Sequence, residues 1–433
     1  MKIVFTIHAI YNTSGGAERV ISELASAMYE RGHNVSLVIT QPGVPDSENP
    51  SYDIHPGVKI YNIYPPAGDL ERDENWDSTG ATDRPLFRVR VRRRIKFFLW
   101  FFIRGRLREP TERLFDRIST ALTPQKKKWH RQHDNKISLL KEALARIHPD
   151  LVVSFMPSSF AYTAEALKDS GIPLVVANRA NPFHVYSKKR YANNPYYLKM
   201  IHRAFDMCAA NLVQTGHFVD FFAPEVRQKT LVLPNPVKPA HAEFIASPES
   251  EEGIKTILSV GRLAPVKNHG LLIRAFSRVA DSHPDWQVRI FGRGGRKEYL
   301  QQLINELNLG ERVFLLGITK EIYREYAESQ IFAFPSMNEG FSNALTEAMS
   351  HGLPSVIIED CISNRDLVDE CTCGYVARND PEDFAEKLGL LMDNPVIRKE
   401  MAERAKSHVR LYEPAKVYDM WELMMRNVSV VTL

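Results

Sequence analysis

The chain has 433 residues, is 44% hydrophobic and 25% charged, and carries a net charge of +4. That length exceeds one ordinary core and suits two domains of roughly 200 residues each, and the composition excludes a disordered chain. Four cysteines exclude a disulfide framework, and the CTC of Cys371 and Cys373 lacks the spacing and second pair of a zinc site, so these read as inert or buried thiols.

In chain order, 2–7 reads as a buried strand, Gly15-Gly16 as a turn, 17–31 as a helix and 35–39 as a second strand, closing a βαβ unit. The opening MKIVFTIHAI lacks the long apolar stretch of a signal peptide and predicts a cytoplasmic chain. Residues 41–84 are rich in Pro, Asp and Gly and show few apolar runs. Residues 84–131 then hold 16 Lys or Arg against Glu109, Glu112 and Asp116, which leaves the rest of the chain at about −9. Alternation resumes with a helix over 137–147, a strand over 151–155, a helix over 161–168 and strands over 174–177, 209–214 and 231–233.

Three prolines in LPNPVKP, followed by SPESEEG, mark a domain boundary, because proline breaks both helix and strand. Beyond it, strands are expected over 256–260, 287–291, 313–316, 331–334 and 355–358, with helices between them and an apolar-periodic helix over 415–428. The fold class is α/β, with two doubly wound parallel-sheet domains facing across a cleft.

Two segments carry the chemistry. After the strand 256–260, GRLAPVKN places Gly261, Arg262 and Lys267 where a helix begins, so that a diphosphate meets two cations and helix amides. After the strand 331–334, EGFSNALTE sets Glu339 and Glu347 on either side of Gly340, Phe341, Ser342 and Asn343. Both lie at the strand ends where open sheets bind ligands. Cations suit a phosphate-rich leaving group and carboxylates suit sugar hydroxyls, so together they read as a nucleotide-sugar site. Neither glutamate has an obvious buried cationic partner in the sequence. The glycine turn Gly15-Gly16, with Glu18 after it, brings N-domain backbone towards the same ligand.

In this order, SGGAERV, PNPV, GRLAPVKN, PSMNEGFSNALTEAMSHGLP and the closing helix resemble the retaining glycosyltransferases of GT-B family 4, over nearly the whole chain. VVANRANP resembles a stretch of members that build bacterial surface polysaccharides and lipid-linked oligosaccharides, with Arg179 the matching arginine on the acceptor side, where Glu18 is also expected. The resemblance implies an acceptor-side domain over 1–235, a nucleotide-sugar domain over 236–412 and a helix over 413–433 packing back on the first. It implies that Arg262 and Lys267 bind the donor diphosphate, that Glu347 holds the ribose, and that Glu339 contacts the transferred sugar beside the 341–343 backbone. Many relatives carry an N-domain histidine after a strand, where this chain reads VVSFMPSS.

Without an Asp-x-Asp triplet, no metal is expected, and no cofactor beyond the nucleotide-diphosphate sugar, taken as a UDP-sugar. The acceptor is expected to be a lipid-linked glycan. RVRVRRRIKFFLWFFIRGRLREP, inside the basic stretch of about 84–131, sets aromatics among arginines, which suits an anionic membrane surface rather than nucleic acid and predicts a peripheral protein at the inner face. A nucleotide-sugar epimerase of related fold and a non-catalytic sugar-nucleotide-binding scaffold are the rival readings.

Overall fold

The structure is a computed structural model that describes residues 1–11, 15–41, 50–64, 124–187 and 194–430. Most of the basic stretch, 84–123, lies outside the described residues, and with it the expected membrane contact. Among the described residues, no helix is long and apolar enough to cross a membrane.

Strands β1 (Lys2–Ile7), β2 (Asn34–Ile39), β3 (Lys59–Asn62), β4 (Leu151–Phe155), β5 (Leu174–Ala177), β6 (Ala210–Val213) and β7 (Thr230–Val232) form the first sheet. All pair in parallel, in the order β3-β2-β1-β4-β5-β6-β7. The second sheet comprises β8 (Lys255–Val260), β9 (Trp286–Phe291), β10 (Val313–Gly317), β11 (Ile331–Phe334), β12 (Ser355–Ile358) and β13 (Gly374–Ala377). It too is parallel, in the order β10-β9-β8-β11-β12-β13. In each sheet the chain reverses direction of travel beside its first strand, which opens a crevice between β1 and β4 and another between β8 and β11.

Both faces of each sheet are covered, which is why the strands read as near-continuous apolar runs. Ile3, Phe5 and Ile7 of β1 pack into one core with α1 (Gly16–Glu30), while Val4 packs into another with α2 (Pro124–Ile147) and α3 (Pro157–Leu167). In the second domain, α4 (His269–Val279) buries Leu271, Leu272, Ile273, Ala275 and Phe276 in one core, and α5 (Asn343–Ser350) buries Leu345, Ala348 and Met349 in the other. The last helix, α6 (Pro414–Val430), returns to the first domain and buries Val417, Trp421, Met424 and Met425 among Ile3, Phe5, Ile21 and Phe155.

Two strands were not legible. β3 is an edge strand, KIYN, with Ile60 and Tyr61 exposed, and β13 is four residues, GYVA, with three of them half-buried. Neither shows the apolar run that marks a central strand. Cys371 and Cys373, expected as thiols, are joined in a buried disulfide, whereas Cys208 and Cys361 are free and buried.

Candidate active site

The two segments singled out in the sequence meet at the crevice of the second sheet. Gly261 closes β8, and a short 3-10 turn, Pro265–Lys267, delivers Lys267 to the carboxyl end of the neighbouring β11. There the Lys267 ammonium pairs closely with Glu339 Oε1 and lies 5.0 Å from the Phe334 ring centroid. Ser336 Oγ donates to the same Glu339 oxygen at 2.5 Å, and Ser363 Oγ donates to the Glu339 carbonyl at 3.2 Å. Glu339 therefore stands in a fixed orientation.

Glu347 lies one turn into α5 and accepts from Arg19 Nη1 at 2.8 Å and from the Tyr326 hydroxyl at 3.3 Å. Arg19 belongs to α1 of the first domain, so this ion pair spans the cleft. Both glutamates thus have cationic partners, contrary to the expectation from sequence. Arg19 could not be read as a partner because 328 residues separate it from Glu347. Burial opposes the charge of Arg19, yet the Glu347 carboxylate carries its pKa above the ordinary value.

The glycine positions have steric reasons. A Cβ on Gly16 would lie 2.7 Å from Asn343 Nδ2, and one on Gly340 would lie 2.5 Å from Gln214 Oε1 and 2.7 Å from the Arg179 carbonyl. Both mark where the two domains touch. A Cβ on Gly15 would instead strike the Glu18 carboxylate. Burial raises the pKa of Glu18, and attraction from Arg262 opposes that rise across the cleft. Asn343 Oδ1 accepts from Asn235 Nδ2 at 2.8 Å, which ties the PNPV linker to the start of α5. Phe341 and Ser342 are buried, the ring against Tyr412 and the hydroxyl on Asn364, so their side chains are already occupied.

A second glycine loop escaped the sequence reading. Gly292 and Gly294 have φ of 152° and 159°, and a Cβ on either would overlap the Gly261 or Leu263 carbonyl. Leu263 N–H donates to the Arg293 carbonyl and Arg296 N–H to the Leu263 carbonyl, both at 3.0 Å, so this loop buttresses the one that carries Arg262. The signal was present as FGRGG after a predicted strand.

Arg179 does not face an open acceptor site. It is buried between the Phe155 and Trp421 rings, 5.4 and 4.9 Å from their centroids, and donates to the Leu233 carbonyl and Asn235 Oδ1. Its Nε and Nη2 have no partner among the described residues, and burial lowers its pKa to about 9.

At the crevice of the first sheet, Met156 follows β4 with a φ of 68°. Thr6 and Ser154 are in register, so His8, two residues beyond Thr6, stands level with Met156 one strand away. Its Nδ1 lies 3.4 Å from Thr40 Oγ1. Burial first, then the charge of Lys136, lowers its pKa to about 4.

Two parallel-sheet domains and a C-terminal helix that returns to the first define the GT-B architecture. Sucrose-phosphate synthase from Thermosynechococcus elongatus superposes with a TM-score of 0.72 at 13% identity, over 99% of both chains. Anabaena HepE, solved with UDP and glucose, superposes with a TM-score of 0.67 at 15% identity, over 98% of this chain and 99% of its own. Residues 241–408 match the family described as glycosyl transferases group 1. That match covers the second domain and both segments singled out in the sequence, on a chain whose fold is GT-B.

Among curated proteins, it is 36% identical over 164 residues to the N-acetylgalactosamine-N,N'-diacetylbacillosaminyl-diphospho-undecaprenol 4-alpha-N-acetylgalactosaminyltransferase of Campylobacter jejuni, covering 38% of this chain and 44% of that one. It is 24% identical to an exopolysaccharide phosphotransferase of Streptomyces coelicolor, over 98% of this chain and 40% of that one. The chain spans less than half the length of these relatives.

Proposed function

We propose that this chain transfers a sugar from a nucleoside diphosphate, taken as UDP, to a lipid-linked glycan in bacterial surface-polysaccharide assembly. The Lys267–Glu339 pair at the β8–β11 crevice, with Glu347 one turn into α5 and Arg262 on the loop after β8, supports this reading. The Campylobacter relative, named for a diphospho-undecaprenol acceptor, supports the lipid-linked part.

In this mechanism the bond from the anomeric carbon to the diphosphate breaks with its electrons on the phosphate oxygen. Arg262 and Lys267 neutralise that charge without a metal, and such preorganised stabilisation is commonly the largest catalytic contribution. Lys267 is released from Glu339 when the diphosphate arrives, which frees Glu339 to meet the sugar. The acceptor oxygen attacks the face the diphosphate leaves, its proton passing to the departing phosphate, and configuration is retained. Glu347 exchanges Arg19 for the ribose hydroxyls. The stretch of about 84–131 holds the protein at the inner membrane face.

Thermal shift against a panel of nucleoside diphosphates and their sugars tests the donor assignment, since a saturating ligand of the folded state stabilises it by mass action. One nucleotide is expected to stabilise selectively. Arg262→Ala and Lys267→Ala are each expected to lower turnover roughly ten- to a thousandfold with little change in melting temperature. A double variant that turns over like the parent rules the diphosphate role out.

A further inference from the structure

The crevice of the first sheet holds a cation that the chemistry above does not use. Lys136 projects from α2 so that its ammonium lies 4.7 Å from the centroid of the Tyr162 ring and 5.9 Å from that of Tyr64. Tyr64 lies just beyond β3 and Tyr162 on α3, so both flank the carboxyl edge of the sheet. No carboxylate among the described residues pairs with Lys136, and burial alone lowers its pKa to about 8.

Two imidazoles share the neighbourhood. His8 ends the β1 side of the crevice, and the charge of Lys136 reaches it. His133, one turn before Lys136 on α2, stacks on Trp129 and Tyr162 and engages the Trp129 carbonyl through Nδ1 at 2.7 Å. The charge of Lys136 reaches His133 as well. The nearby acid, Asp134, lies 2.9 Å from His130 Nδ1 and is exposed. A lysine stem packed on tyrosine rings ordinarily keeps its ammonium in water. Here the ammonium is half-buried over two rings with no carboxylate among the described residues paired to it, near two further nitrogen groups at the carboxyl edge of the sheet. Such a cation is balanced when an anion binds.

We propose that Lys136, with His8 and His133, forms an anion subsite that takes a phosphoryl group of the acceptor. A compact ammonium with three donors suits phosphate, and His8 Nε2 supplies a further one when its Nδ1 accepts from Thr40, while His133, its Nδ1–H held by the Trp129 carbonyl, fixes the Tyr162 ring under the ammonium. This deepens the proposed function, which puts the acceptor on the first domain, and rests on it.

Calorimetric titration with inorganic pyrophosphate, and in parallel with farnesyl diphosphate, tests the subsite. The full chain carrying Arg262→Ala and Lys267→Ala is used, which removes the donor's diphosphate cations. Saturable one-to-one binding is expected, weakened at least about tenfold by Lys136→Gln and restored by Lys136→Arg, the range for losing one charge-assisted contact. Tighter binding of farnesyl diphosphate assigns the anion to a lipid-linked acceptor, and equal binding assigns it to a soluble phosphorylated one. Binding that is absent, or unchanged by Lys136→Gln, overturns the proposal. In the otherwise native chain, Lys136→Gln is expected to keep its melting temperature and its stabilisation by nucleotide. A wild type that no nucleotide stabilises would defeat the donor assignment instead, so the two failures are distinguishable.

Discussion

At the scale of single residues, the two glutamates differ in what holds them, and their variants should differ accordingly. Glu339 is fixed by Lys267 and Ser336 at the end of β11, whereas Glu347 reaches across the cleft to Arg19. Ribose contacts are made in ground and transition states alike, so Glu347→Ala should raise the donor KM with little change in kcat. Glu339→Ala should lower kcat more than it changes KM, because in the proposed mechanism charge develops on the sugar beside it. Steady-state kinetics with the nucleotide found by thermal shift separates them, and equal effects on KM alone would refute the division of roles. Residue types and strand-end positions made the meeting of the Lys267 and Glu339 segments legible in the chain. The partnerships were not, because Arg19 and Glu347 are brought together only by the packing of two domains. Arg179 shows the converse, a polar residue whose motif pointed outward while its surroundings, Phe155 and Trp421, are distant in sequence.

At the scale of elements, α6 was visible from the spacing of Val417, Trp421, Met424, Met425 and Val428, although its place against β1 and β4 came only from the resemblance to known proteins. Trp421 is fully buried, stacks on Phe155 at 5.8 Å and covers the Arg179 guanidinium. Trp421→Ala should cost about 3 to 5 kcal/mol in denaturant unfolding, the range for emptying a buried aromatic site. The helix is also clamped electrostatically. Glu422 accepts from Arg426 at 2.6 Å, from Arg31 at 2.9 Å and from His33 at 3.2 Å, which lowers its pKa from 4.5 to about 2. A carboxylate depressed in the folded state adds stability that is complete above its unfolded pKa and lost as pH falls through the folded one. Wild type should therefore exceed Glu422→Gln in stability above pH 4.5, with the gap closing towards pH 2. A gap independent of pH would show that the clamp acts through packing alone.

At the scale of the molecule, some of the polar contacts between the domains use residues of the proposed donor site and others do not, such as His217 with Asp366. Arg19 pairs with Glu347, Asn235 with Asn343, and Lys238 with Glu23 at 2.9 Å, while Gly16 and Gly340 allow the backbones to approach. The ion pair therefore spans the cleft through the carboxylate that the proposed function gives to the ribose, so that on that proposal ligand and latch compete. Its side chains are 32% and 28% exposed, and a pair that exposed contributes at most about 1 kcal/mol. Arg19→Ala should accordingly leave the melting temperature nearly unchanged and tighten nucleoside diphosphate binding up to about fivefold, since 1.4 kcal/mol corresponds to a factor of ten. With the latch removed, the unliganded radius of gyration in X-ray scattering should rise, and saturating nucleotide should return it towards the wild-type value. Weaker nucleotide binding in Arg19→Ala would mean that Arg19 touches the donor itself, and the competition would then be refuted.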